Sequence, residues 1–202
     1  MERAPRKRDR EASKQALIQA GLTVFAAHGY DAATTKAIAA AAGLNEQLIT
    51  RYFGGKAGLL SAIMESFVDE EVNGGHYPAA AADVAGEIRG FLRHRHAKLL
   101  ELQDYLRAYF PMSLRDASIR ETIRPVLLRE GTVLRERLAA LQRRGLVRAD
   151  ADPETLGMII GGISFHVSFL LRVNLDLPED RLERIIEEFV ENMARGLAPL
   201  PS

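Results

Sequence analysis

Apolar residues recur at helical spacing along almost the whole chain, and no segment alternates apolar with polar positions as a half-buried strand would. Leu17, Gly21, Val24, Phe25 and His28 share one face of a helix expected from about Arg10 to His28, which Gly29 ends. The stretch Thr34 to Leu60 then reads as two short helices and the start of a third. Thr34 or Thr35 supplies a hydroxyl to cap the first, and Ile38, Ala39 and Ala42 form its small apolar face. Gly43 suits the left-handed position that stops a helix, and Asn45 caps a second helix from Glu46 to Phe53. Ile49 and Phe53 face inward in that helix, while Gln47, Thr50 and Arg51 project away. Gly54-Gly55 breaks it and Lys56 opens the next, which carries Leu59, Leu60, Ile63, Met64 and Phe67 on its buried side.

Asn73 to Pro78 is the clearest break in the chain, rich in turn residues. Helical spacing resumes from Asp83 to Pro111, with Ile88, Phe91, Leu92, Leu99, Leu102 and Leu106 as apolar markers. A long helical stretch from about Ala117 to Arg144 is interrupted at Pro125 and closed by Gly145. Asp152-Pro153-Glu154 combines a cap with a proline at the first helical position. The helix it opens is apolar on most sides, so burial all round is expected. Its most hydrophobic run, Leu156 to Leu171, is shorter than the ~20 residues that span a bilayer, so no membrane partner is expected. Asp176 and Glu179 suit a capping pair for a last helix whose stripe runs from Leu182 to Leu197. The fold class is therefore all-α. The domain plan is a basic flexible arm (1–8), a three-helix head (9–72), a linker (73–82) and a larger helical region (83–202).

Composition changes this picture in two ways. The net charge is zero, yet it is segregated: residues 1–60 carry nine Lys and Arg against five Asp and Glu, and the remainder 18 against 22. A basic head on an acidic body fits contact with a polyanion at one end only. The absence of cysteine excludes disulfides, thiolate metal sites and a cysteine nucleophile. The charged start MERAPRKRDREASK lacks the apolar core of a signal peptide, and a cytoplasmic location is expected. His94 and His96 are two apart and do not share a helix face, so no metal is expected there. Gly54-Gly55-Lys56 lacks the spaced glycine and following Ser or Thr of a phosphate loop. No nucleophile elbow, dinucleotide loop or carboxylate dyad is present, so neither a cofactor nor catalysis is expected.

Two helices joined by a turn of about three residues, the first Ala-rich and the second polar-faced, is helix-turn-helix geometry. The segment HGYDAATTKAIAAAAGLNEQLITRYFGGKAGLL, His28 to Leu60, resembles the DNA-binding signature of the TetR-type regulators. The shared pattern is Gly-aromatic, a Thr-rich cap, Ile-Ala, Ala-Gly-hydrophobic, then Tyr-Phe-x-x-Lys-x-x-Leu-Leu, and it covers about the first third of the chain. The resemblance implies an all-α protein with a helix-turn-helix head joined to a larger ligand-binding and dimerisation domain. It implies a ligand-responsive regulator, a repressor that binds a palindromic double-stranded DNA operator as a homodimer and is released by a small-molecule effector.

By that resemblance Thr35, Tyr52 and Lys56 touch phosphates, with Thr34, Lys36 and Arg51 beside them. Glu46, Gln47, Leu48 and Thr50 are the base-reading positions. The side-chain chemistry allows Gln47 to pair with adenine and Glu46 to accept from cytosine N4. Thr50 stands where the family commonly has Tyr, and Glu46 where Lys is frequent, which shifts weight to Arg51 and the arm.

In the family resembled, the last two helices pair with those of a second subunit. Here the small-residue face Gly157, Gly161, Ser164 and the stripe Ile186, Phe189, Met193 have the composition for that contact. Tyr105, Tyr109 and Phe110 cluster near Pro111. They read either as core packing or as one wall of a small-molecule pocket, with Phe91, Phe165, His166 and Phe169 as further lining. The alternative function is a helical small-molecule-binding or scaffold protein without DNA binding.

Overall fold

Gly29 decides how the first helix ends. In the computed structural model, which describes residues 5–73, 77–117, 119–121, 124 and 131–199, helix α1 (Pro5–Ala32) is broken at Gly29, whose φ of 72° and ψ of 166° lie outside the helical region. A side chain is disfavoured there, whereas glycine adopts a positive φ at no steric cost. Helix α1 begins at Pro5, so residues 5–8 of the expected arm have a helical backbone, and residues 1–4 lie outside the described residues. Helices α2 (Thr35–Ala41), α3 (Gln47–Phe53) and α4 (Lys56–Asn73) follow, each bounded close to its expected limits.

Contacts group Met1–Asp69 with Asp104–Leu128, and Glu70–Gln103 with Arg129–Ser202. The first unit thus takes in helix α6 (Gln103–Arg115) as well as the head. Its core is Leu17, Phe25, Ile38, Ile49, Leu59, Leu60, Ile63 and Tyr105, all buried. Gly21 lets α1 approach α4, since a Cβ there would lie 3.1 Å from Ile63 Cδ1 and 3.2 Å from Leu59 Cδ2. Tyr105 reaches across this unit, its hydroxyl donating to the Leu60 carbonyl at 2.9 Å. Burial pushes the Tyr105 phenol well above its ordinary pKa, with Tyr109 and Tyr30 adding to the effect, so it stays a neutral donor.

In the second unit, helix α5 (Val84–Glu101) is capped by Asp83, whose carboxylate accepts from Gly86 N at 2.7 Å. It packs on α7 (Thr132–Arg143), α8 (Pro153–Phe165, continuing as π-helix to Asn174) and α9 (Glu179–Leu197). Ile88, Phe91, Leu92, Leu134, Leu138, Ile160, Val167, Leu182, Ile186 and Val190 form the core between them. Glu87, only 3% exposed, accepts from Arg137 Nη1 at 2.9 Å and from Ala81 N at 2.8 Å, and Arg137 covers the Tyr77 ring at 4.4 Å. Such a buried charge is tolerable because both of its oxygens are bonded. Asp152 accepts from Glu154 N and Thr155 N, with Pro153 opening the helix as the sequence indicates.

Several expectations are corrected. The helical run from Asp83 to Pro111 is divided at Leu102, and Pro111 lies inside α6 and does not end it. Asp176 does not cap α9: it has a φ of 50° and pairs with Arg172, while Glu179 lies 3.2 Å from His96 Nε2. Pro125, and residues 74–76 of the linker, lie outside the described residues.

Helix α8 is not buried all round. With its π-helical continuation it runs 22 residues, and by length and composition it could cross a membrane, yet only a third of its most apolar window is buried. Its inner face carries Gly157, Ile160, Ser164, Val167 and Ser168, while Met158, Ile159 and Leu170 are exposed. Contact with α5 and α7 on one side only accounts for this two-faced burial.

Gly58 is the tightest close approach in the head, because a Cβ there would fall on the Phe53 carbonyl oxygen. Gly58→Ala should destabilise the protein by about 1–3 kcal/mol through overpacking against backbone. Gly90→Ala, where the added Cβ would meet only Pro78 Cβ at 3.9 Å, should be neutral or stabilise by up to ~1 kcal/mol through helix propensity. Urea denaturation of the two variants measures both.

Candidate nucleic-acid interface

The polar face of the head is assembled by three local devices. Thr34 has an extended backbone (φ −102°, ψ 150°), and its Oγ1 accepts from Ala37 N at 3.1 Å, so Thr34 is the cap and Thr35 the first residue of α2. Gly43, at φ 65°, reverses the chain after α2. Asn45 Oδ1 then accepts from Gln47 N at 2.8 Å, opening the helical turn that begins α3. With Ile49 buried, Glu46, Gln47, Thr50 and Arg51 are exposed, and Leu48 and Tyr52 are half-buried at the edges of that face. Lys36 is exposed on α2. Of the sequence-derived reading positions, Glu46 just before α3 and Gln47 and Thr50 within it are exposed, and Leu48 is half-buried.

Lys56 does something the sequence did not disclose. Its ammonium donates to the Tyr30 carbonyl at 2.7 Å and to the Ala33 carbonyl at 2.9 Å, and it lies 4.1 Å from the centre of the Tyr30 ring. Burial pulls its pKa below the ordinary lysine value, and the Asp31 carboxylate partly opposes that shift. The Tyr30 phenol is pushed up, first by burial and then by Asp116 and Asp31. Lys56 therefore ties the turn at the end of α1 to the start of α4. Two of its three N–H donors are thus taken within the chain. Tyr30 is the partner that sequence reading missed; the Gly29-Tyr30 pair was its visible signal.

Thr35 is also engaged within the chain. Its hydroxyl donates to Glu46 Oε1 at 2.6 Å, joining the start of α2 to the start of α3. Arg10 is a further residue missed: its guanidinium packs 5.6 Å from the Tyr52 ring centre, placing a cation from α1 beside the edge of α3.

The other candidate residues are distributed over both units. Tyr105 and Tyr109 stack at 6.3 Å and Tyr109 meets Phe110 edge-on at 5.5 Å, all within the first unit. In the second unit Phe91 is core, Phe165 and Phe169 stack at 5.2 Å, and His166 is exposed. A cavity of about 390 Å³ in the first unit is lined by Tyr30, Asp31, Arg107, Pro111 and Arg115 among others, and by none of these seven residues. Gly157, Ser164 and Ile186 face the interior of their own unit, and a Cβ on Gly157 would lie 2.6 Å from Arg135 Cγ. Gly161 has open space beside it, and Phe189 and Met193 are half-buried along the edge of the core.

Residues 17–63 match the family described as bacterial regulatory proteins, tetR family. An HTH-type transcriptional repressor, SCO4008, of Streptomyces coelicolor is 35% identical over 98 residues, 47% of this chain and 50% of that protein. The chain thus spans about half the length of this curated relative. Among solved structures, the fatty acid degradation regulator FadR from Bacillus halodurans is 23% identical with a TM-score of 0.70, covering 98% of each chain. A TetR-family transcriptional regulator from Rhodococcus sp. is 13% identical with a TM-score of 0.76, covering 90% of this chain and 97% of that one. At these identities the two structures establish the all-α fold.

Removing the Lys56 ammonium leaves two carbonyls without their charged donor. Lys56→Ala should cost about 1.5–3 kcal/mol of stability in the absence of DNA, the range for hydrogen bonds to charged groups. Arg51→Ala, exposed and without an ion-pair partner among the described residues, should stay within ~0.5 kcal/mol. Chemical denaturation of the free protein separates them.

Proposed function

We propose that this chain, a member of the tetR family of bacterial regulatory proteins by its head, is a DNA-binding transcriptional repressor that reads a palindromic operator as a homodimer and is released by a small-molecule effector. The observation that carries the reading is the exposed row Glu46, Gln47, Thr50 and Arg51 on a helix whose approach is set by a capped turn. A helix presented in this way enters a major groove with its first-turn side chains at base edges. Gln47 has the amide pair suited to adenine N6 and N7. Lys36, Arg51 and Tyr52 flank it as phosphate contacts that set register without reading sequence, and Arg10 adds a cation beside Tyr52. The protein acts where the DNA is, in the cytoplasm.

The dimer is supported by the outer face of α8. Met158 is 68% exposed and Ile159 48%, an apolar surface that a second copy would cover, with Gly161 allowing close approach. The contact thus moves round the helix from Gly157 and Ser164, which their own unit occupies. Phe189 and Met193 contribute from α9. Effector control rests on kinship with ligand-responsive regulators, and the second unit holds the stacked Phe165 and Phe169 as its candidate lining.

Binding to the chain's own upstream DNA, followed by fluorescence anisotropy at several salt concentrations, tests the function. Gln47→Ala should cost ~1–3 kcal/mol at one base pair per half-site and leave the salt slope nearly unchanged. Wild-type affinity equal for operator and scrambled DNA would reject the proposal. Sedimentation should show a dimer at micromolar concentration, and Gly161→Leu should shift it to monomer, with the substitution starting from a position where a Cβ meets nothing within 4 Å in its own chain.

A further inference from the structure

Glu46 is an acid at the start of the helix that faces the polyanion. It is exposed, and no Lys, Arg or His pairs with it among the described residues. An uncompensated carboxylate in that place opposes phosphate binding, so its presence calls for a gain elsewhere. The structure shows where its geometry comes from. Oε1 accepts the Thr35 hydroxyl at 2.6 Å, which takes up one oxygen and restricts the rotamers of a side chain that would otherwise be free. The restraint comes from a different helix, and Thr35 is itself fixed by Thr34, whose cap sets the first turn of α2. Oε2 remains as a single, positioned acceptor.

We propose that Thr35 and Glu46 form a specificity unit in which Thr35 positions Glu46 Oε2 to accept from the N4 amino group of a cytosine in each half-site. The inference rests on the head reading DNA as set out above. Major-groove chemistry selects the base. Cytosine presents an amino donor without an acceptor beside it, whereas guanine offers N7 and O6 and thymine O4, all acceptors that repel a carboxylate. Adenine has a donor at N6 but an acceptor at N7 next to it, so it ranks below cytosine. The same negative charge weakens binding to DNA that lacks the cytosine, because phosphate attraction is then opposed with no hydrogen bond in return. Glu46 thus acts on the ratio of specific to non-specific binding from both sides, and Thr35 is a positioning residue that need not touch a phosphate.

Competition binding with all four base pairs placed in turn at each operator position tests this in full-length Glu46→Gln, Thr35→Val and Thr35→Ser proteins. The wild type should favour cytosine about tenfold at one position per half-site. Glu46→Gln should lose that preference, bind scrambled DNA more tightly than wild type, and show a steeper salt dependence. Thr35→Val should weaken the cytosine preference without changing the salt slope, and Thr35→Ser should restore it, a rescue that a merely structural role for the methyl group would not produce. Thermal unfolding of Glu46→Gln and Thr35→Ser should match wild type, since the first keeps the side-chain shape and the second the hydroxyl. Unchanged cytosine preference in Glu46→Gln, or in Thr35→Val, would overturn the unit while leaving the DNA-binding reading in place. A wild type with no base preference at any position would overturn both.

Discussion

The Lys56 ammonium is the tie on which the head depends. It holds the carbonyls of Tyr30 and Ala33 from the first residue of α4, so the chain on both sides of α2 and α3 is fixed to one point. Everything between them is short: helices of seven residues each cannot hold their own shape in water. Their direction is set by the clamp, by Gly29 and Gly43 at positive φ, and by Ile38 and Ile49 buried in the shared core. Burial lowers the lysine's pKa, and the Asp31 carboxylate partly opposes that shift. The glycines after α3 complete the arrangement, since Gly58 allows α4 to start directly beneath the Phe53 carbonyl.

The second unit solves a different problem, that of burying polar groups within a helical core. Glu87 is matched by Arg137 and a backbone N–H, and His96 meets Ser168 at 3.0 Å on one ring nitrogen and Glu179 on the other. The hydrogen bonds of Glu87 and of His96 Nδ1 join α5 to α7 and to the π-helical end of α8 with directional contacts that apolar packing alone lacks, while Glu179 of α9 only approaches His96 Nε2. Half-buried Arg89 binds both oxygens of Glu187, which raises the Arg89 pKa and lowers that of Glu187, while exposed Arg93 bridges Glu183 and Glu187 and adds little stability in water. Helix α8 has a core face and an apolar outer face, so the chain carries a surface that water covers at a cost.

Local signals determined a great deal. Thr34 and Asp152 were legible as caps because capping needs only a side-chain oxygen two or three residues from a free N–H. Gly29, Gly43 and Gly145 were legible as stops because a left-handed residue ends a helix wherever it occurs. The all-α class and the exposed face of α3 followed from the spacing of Ile49, Gln47, Thr50 and Arg51. The resemblance carried by His28 to Leu60 came from the same local order, which is why the family match at residues 17–63 agrees with it.

Tertiary structure decided what lies far apart in sequence. Lys56 binds a turn 23 to 26 residues away, and Thr35 reaches Glu46 across 11 residues, so neither partner could be assigned from spacing along one helix. Residues Asp104–Leu128 group with the head because Tyr105 bonds the Leu60 carbonyl, a contact no periodicity encodes. An apolar helix reads the same whether its neighbours cover one side or all of it. Only the packing of α5 and α7 against α8 showed that Gly157 and Ser164 face inward and Met158 and Ile159 outward. The sequence thus specified which segments are helical and where they stop, since those depend on near neighbours. Which side of α8 is covered, and which charges are already spoken for, depended on distant ones.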